Sequence, residues 1–126
     1  DCSVRIFSKN LKEINKMEYF DSKVTDVEFS DFGVAISTLK AAKNRVIVFD
    51  KSGELVYNNS IKYNVSEVGL SEDCIFVNTL SGVARISMKG KDESFLPSNN
   101  GRLLVYDSFT ALICGDSKAE YLVFNK

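Results

Sequence analysis

The chain has 126 residues, 44% hydrophobic and 26% charged, with 16 basic and 17 acidic residues and a formal charge of −1. That is enough chain for one domain with a real core, and the lack of any Lys/Arg cluster argues against nucleic acid as a partner. There is no histidine, which removes the commonest general base, the usual zinc ligand and the Ser-His-Asp triad, and leaves a Cys nucleophile without its base.

In chain order, Val4-Arg5-Ile6-Phe7 alternates as a strand, and Ser8-Lys9-Asn10 leads through Leu11-Lys12-Glu13 into a second strand as a hairpin. Leu11, Ile14 and Met17 fall three apart, but the flanking alternation opposes a helix there. The clearest hairpin runs from Arg45 to Tyr57, turning at Asp50-Lys51-Ser52-Gly53, where Gly53 supplies the left-handed residue. Lys40-Ala41-Ala42-Lys43-Asn44 is expected to form a longer loop, which Ser81-Gly82 replaces by a tight turn. Gly115-Asp116-Ser117-Lys118 reads as another turn.

A motif ties these pieces together. Val24-Thr25-Asp26-Val27-Glu28-Phe29-Ser30 returns as Val65-Ser66-Glu67-Val68-Gly69-Leu70-Ser71, and Gly33–Leu39 matches Cys74–Leu80 at the same offset of 41. Beyond that point the offset falls to 37, because Val46 aligns with Val83. A weaker third copy runs from Leu104-Val105-Tyr106-Asp107 to Ile113. A period near 40 made of short alternating strands is the pattern of propeller blades. The expectation is an all-β, partial β-propeller of about three four-stranded antiparallel blades, of the seven-bladed type. Its divisions are the end of a blade over 1–23, blades over 24–64 and 65–100, and an incomplete last blade over 101–126. Thirteen strands follow, opening and closing in mid-blade, so the chain is expected to be the C-terminal part of a larger propeller or to pair its open edges in a homodimer. Val46 and Val48 on one side, with Ile47 and Phe49 on the other, suit a sheet buried on both faces.

Few residues suggest chemistry. Asp26 and Glu28 share one strand face, and Glu67 takes the place of Asp26 in the next copy. A ring of Asp26 and Glu67 around a central channel is the candidate metal site; the plainer alternative is that these acids cap strands or face water. No catalytic residue and no cofactor is expected. Cys2, Cys74 and Cys114 cannot all pair and read as buried thiols. Tyr19, Phe20, Tyr57, Tyr63 and Phe95 lie near outer strands, either as a protein-binding patch or packed between blades.

Two segments carry a resemblance: Val83-Ala84-Arg85-Ile86-Ser87-Met88-Lys89-Gly90-Lys91, and the stretch from Leu104 to Phe124. Together they resemble the C-terminal half of an uncharacterised β-propeller family of Gram-positive bacteria, a domain of unknown function. At fold level that family is similar to WD-repeat and quinoprotein-like propellers. With no Trp and no His, however, the chain lacks the marks of WD repeats and of quinone-binding blades. The resemblance implies an extracytoplasmic propeller held at the cell surface by an upstream N-terminal membrane anchor. The expected function is a non-catalytic interaction or scaffold module for a protein or cell-wall component. The alternative is a ligand-binding or hydrolytic propeller whose active residues lie upstream.

Overall fold

The computed structural model describes residues 2–19 and 22–125, with side chains for 3–18 and 22–125. Its thirteen strands are β1 (Cys2–Phe7), β2 (Glu13–Tyr19), β3 (Lys23–Ser30), β4 (Gly33–Lys40), β5 (Lys43–Asp50), β6 (Leu55–Ile61), β7 (Glu67–Leu70), β8 (Cys74–Asn78), β9 (Gly82–Ser87), β10 (Glu93–Pro97), β11 (Arg102–Asp107), β12 (Thr110–Cys114) and β13 (Ala119–Val123). They form four antiparallel meanders in sequence order: β1-β2, β3-β4-β5-β6, β7-β8-β9-β10 and β11-β12-β13. The all-β class and the grouping of strands agree with the repeat. The sheets form an open, propeller-like array.

Successive sheets pack face to face because their central strands are apolar on both sides. Val46 and Val48 of β5 join Ile75, Val77, Ala84 and Ile86 in the core between the second and third sheets. Ile47 and Phe49 face the other way, onto Val4, Ile6 and Met17 of the first sheet. On the third sheet, Ile75 and Val77 look back while Cys74 and Phe76 look forward onto Leu103, Ala111, Ile113, Leu122 and Phe124. Phe76 meets Phe124 edge to face, with centroids 5.5 Å apart. The first strands lie side by side, and Gly69 permits it: a Cβ there would stand 2.4 Å from Val105 Cγ2.

The turns follow local chemistry. In the β5–β6 hairpin, Gly53 lies at φ 86° and its N–H donates to Asp50 O at 3.0 Å. The Asp50 carboxylate also takes the Ser52 hydroxyl at 2.6 Å and the Glu54 N–H at 3.1 Å. The β1–β2 hairpin repeats this turn with Leu11 in the place of glycine, at φ 64°, its N–H donating to Ser8 O at 2.9 Å.

One expectation fails. The stretch from Lys40 to Asn44 is no loop: Lys40 pairs with Lys43 and Leu39 with Asn44, so the ladder runs to a two-residue turn of Ala41 and Ala42 at φ 49° and 64°. Two left-handed residues give the turn whose twist matches a hairpin, at the cost of strain on each Cβ. The four residues that change the offset therefore extend β4 and β5 as strand. In the third sheet the ladder stops at Asn78 and Val83, and Thr79 closes the turn by donating its hydroxyl to Gly82 O at 2.8 Å.

Candidate functional site

The repeated acids hold neighbouring sheets together. Asp26 on β3 accepts the N–H of Val68 on β7 at 2.8 Å. Glu67 on β7 accepts the N–H of Leu103 on β11 and the amide of Asn78 at 2.9 Å, while the same Asn78 amide donates to Gly101 O at 2.9 Å. β3 and β7 thus each present a carboxylate to the backbone of the next first strand, which is a capping role between sheets. Charged acceptors make the stronger class of hydrogen bond. Glu28 lies close to both: desolvation, and then the charges of Asp26 and Glu67, raise its pKa above the ordinary glutamate value. Among the described residues no group of three or more acids or thiols is placed to hold a metal ion.

Of the aromatic candidates, Tyr57 and Tyr63 pack between sheets, whereas Phe95 is exposed at 38%. Tyr63 stacks on Phe95 with centroids 6.0 Å apart, and Tyr57 and Tyr63 lie partly buried against the core of the second and third sheets. The Tyr19 side chain and Phe20 lie outside the described residues. Cys74 is fully buried, and burial, reinforced by Asp73, pushes its thiol up to about 11; Cys114 is a free, half-buried thiol.

The strongest departure from the repeat is a residue that motif reading passes over. Val48 pairs with Ala35 and Arg85 pairs with Phe76, so the two hold one position in successive sheets, both facing the next sheet. Ile6 and Tyr121 occupy it in the first and last sheets. Arg85 is the only charged residue of the four, and it is 7% exposed. Its Nε donates to Ser108 O at 2.5 Å, and its guanidinium lies over the Phe109 ring, 4.3 Å from the centroid. The described ion pairs join Arg5 to Glu13, Lys16 to Glu18 and Lys62 to Glu93; Arg85 takes part in none of them.

Arg85 forms part of the wall of a cavity of about 460 Å³ between the turn ends of the third and fourth sheets, with Ser87, Asp92, Ser94 and Phe109. Asp73 stands on the same wall. The Ser108 hydroxyl donates to Ser71 Oγ at 3.1 Å, and its nearness to the Asp73 carboxyl, with help from Cys74 and Arg85 and against desolvation, holds Asp73 below the usual carboxylate range. Asp73 Oδ1 is buried with no hydrogen-bond partner. The signal was present in the sequence: Arg85 stands where Val48 stands one copy earlier, and a repeat broken once marks a position released from the common core.

The outer face of the fourth sheet is apolar and open. Leu104 of β11, Leu112 of β12 and Tyr121 of β13 form one cross-strand row, since Leu112 pairs with both others. Tyr121 and Val123 are 63% and 59% exposed, although Val48, the counterpart of Tyr121 in the second sheet, is buried. By contrast, the outer face of β1-β2 carries Arg5, Lys16 and Glu18, all exposed.

No curated protein and no solved structure matches the chain. A family model described as a family of unknown function (DUF5711) matches residues 1–120, and the chain belongs to that family.

Proposed function

We propose that this chain is a non-catalytic interaction or scaffold module, part of a propeller-type protein of Gram-positive bacteria that an upstream anchor holds at the cell surface. The observation that carries the reading is the outer face of the fourth sheet. Its row of Leu104, Leu112 and Tyr121 is built like the faces that the array buries elsewhere, yet it is open. An exposed apolar sheet face beside the free edge of β13 is a surface that a further sheet covers. A second copy of the chain supplies such a sheet, and a protein or wall component carrying an extended segment is the other occupant.

Light scattering of the 126-residue chain tests this. Association is expected at micromolar concentration, with Tyr121→Lys and Val123→Glu together restoring the monomer. A chain that stays monomeric at every concentration, and whose fourth-sheet amides exchange with solvent as freely as an unpartnered face would, sinks the reading. Placement at the cell surface predicts that protease added to intact cells removes the protein. The ligand-binding alternative gains support from one feature, the cavity at Arg85.

A further inference from the structure

We propose that the cavity at Arg85 binds a small zwitterion of the α-amino-acid type, its carboxylate on the guanidinium and its ammonium on Asp92. The inference stands apart from the scaffold reading and rests on different residues. Arg85 makes no close ion pair among the described residues, although its charge acts on Asp73, and burying a guanidinium so incompletely matched is costly, whereas a valine serves the same position one sheet earlier. Packing therefore does not explain Arg85. Its Nε is occupied by Ser108 O and its face by Phe109. Those two contacts fix the guanidinium plane and leave the terminal nitrogens without an ion pair among the described residues. A planar, pre-oriented fork of that kind suits a carboxylate.

The rest of the wall selects against a simple anion. Asp73, Asp92 and Glu93 bring three carboxylates to the cavity. Glu93 is engaged by Lys62 at 3.1 Å, and the charge of Asp73 is set against that of Arg85 itself. Asp92, on the exposed β9–β10 turn, makes no ion pair among the described residues. A lone anion would gain Arg85 and be repelled by the acids; a lone cation would meet the reverse. A molecule with both charges a few bonds apart satisfies both, and Ser87 and Ser94 add hydroxyls to the wall. The volume of about 460 Å³ is that of a small-molecule pocket.

The test is a titration of the chain with L-alanine, followed through backbone amide shifts, with acetate and methylammonium as single-charge probes. Saturable alanine binding is expected with a dissociation constant on the order of 1 mM, with shifts centred on Arg85 to Ser94 and Ser108 to Phe109. Each single-charge probe should bind about tenfold more weakly or worse. Asp92→Asn should weaken alanine and leave acetate unchanged, whereas Arg85→Met should weaken both. Absence of saturable alanine shifts overturns the proposal, as does alanine binding that neither substitution changes. Should Arg85→Met fail to fold, Asp92→Asn decides alone, since Asp92 is an exposed turn residue whose loss leaves the core intact.

Discussion

The interface between the second and third sheets and the one between the third and fourth are built from the same repeat, yet they differ at both ends. The former is apolar through its depth, with Val48 at the turn end and one carboxylate bond, Asp26 to Val68, at the other. The latter keeps an apolar middle around Phe76 and Phe124 but puts Arg85 at the turn end. At its opposite end Glu67 and Asn78 together grip β11. Sheet packing needs only the apolar middle. The polar ends are additions, and they do different things: the carboxylate bonds fix one first strand against the next, whereas Arg85 opens a charged cavity.

Exchanging the two residues should break the comparison most sharply. Val48→Arg would bury a guanidinium with no counter-charge against Ile75 and Ile86, at a cost of about 3–5 kcal/mol, enough to abolish a cooperative urea transition. Arg85→Met should change stability by only about 1 kcal/mol in either direction, because the loss of one hydrogen bond is offset by relief of charge burial. Equal losses for the two variants would mean that Arg85 is structural.

The carboxylate bonds come next. Asp26→Ala should lower stability by about 1–3 kcal/mol and speed hydrogen exchange at the Val68 amide. Glu67→Ala should do more, since Leu103 N and the Asn78 amide both lose their acceptor. A Glu67 variant that is no weaker than the Asp26 variant would remove the distinction between the interfaces. A smaller gain is expected at the β4–β5 turn. Replacing Ala41 by Asn and Ala42 by Gly keeps the left-handed turn without its Cβ strain and should raise stability by about 1–2 kcal/mol, read from the urea midpoint.

The smallest effects concern titration around Asp73 and Cys74. Asp73 is held below its unfolded value of 3.8, so its contribution is complete above that pH and is lost as the pH falls through the folded value. Asp73→Asn should therefore flatten the acid limb of the stability profile. Cys74 is raised from 9.0 to about 11, so its contribution is complete below pH 9.0 and disappears as the pH rises toward 11. Alkylation at pH 8 should reach Cys114 well before Cys74, and prior reaction at Cys74 would contradict its burial.

Much of the fold was legible in the chain because strand alternation and turn residues act locally. The faces of Val46, Val48, Ile47 and Phe49 assign themselves once the period is two, and the turn at Asp50 to Gly53 follows from one aspartate and one glycine. The Ala41-Ala42 turn is not legible in the sequence because nothing in two alanines announces a left-handed pair; the ladder from Ser37 to Val46 imposes it. Asp26 and Glu67 were visible as a recurring acid, but their partners, Val68 N and Leu103 N, lie 42 and 36 residues away. Only the stacking of sheets brings those groups together.

By itself, then, the sequence determined the repeat, the strand faces and the all-β class, since each depends on residues a few positions apart. Tertiary structure decided which sheet meets which, what the repeated carboxylates grip, and that a lone arginine in a valine position stands at a cavity. Those outcomes depend on distances across interfaces, which no local pattern encodes. The recurring Val-x-Asp/Glu-Val motif names the first strands of the second and third sheets, and the packed array makes its acid the link to the next.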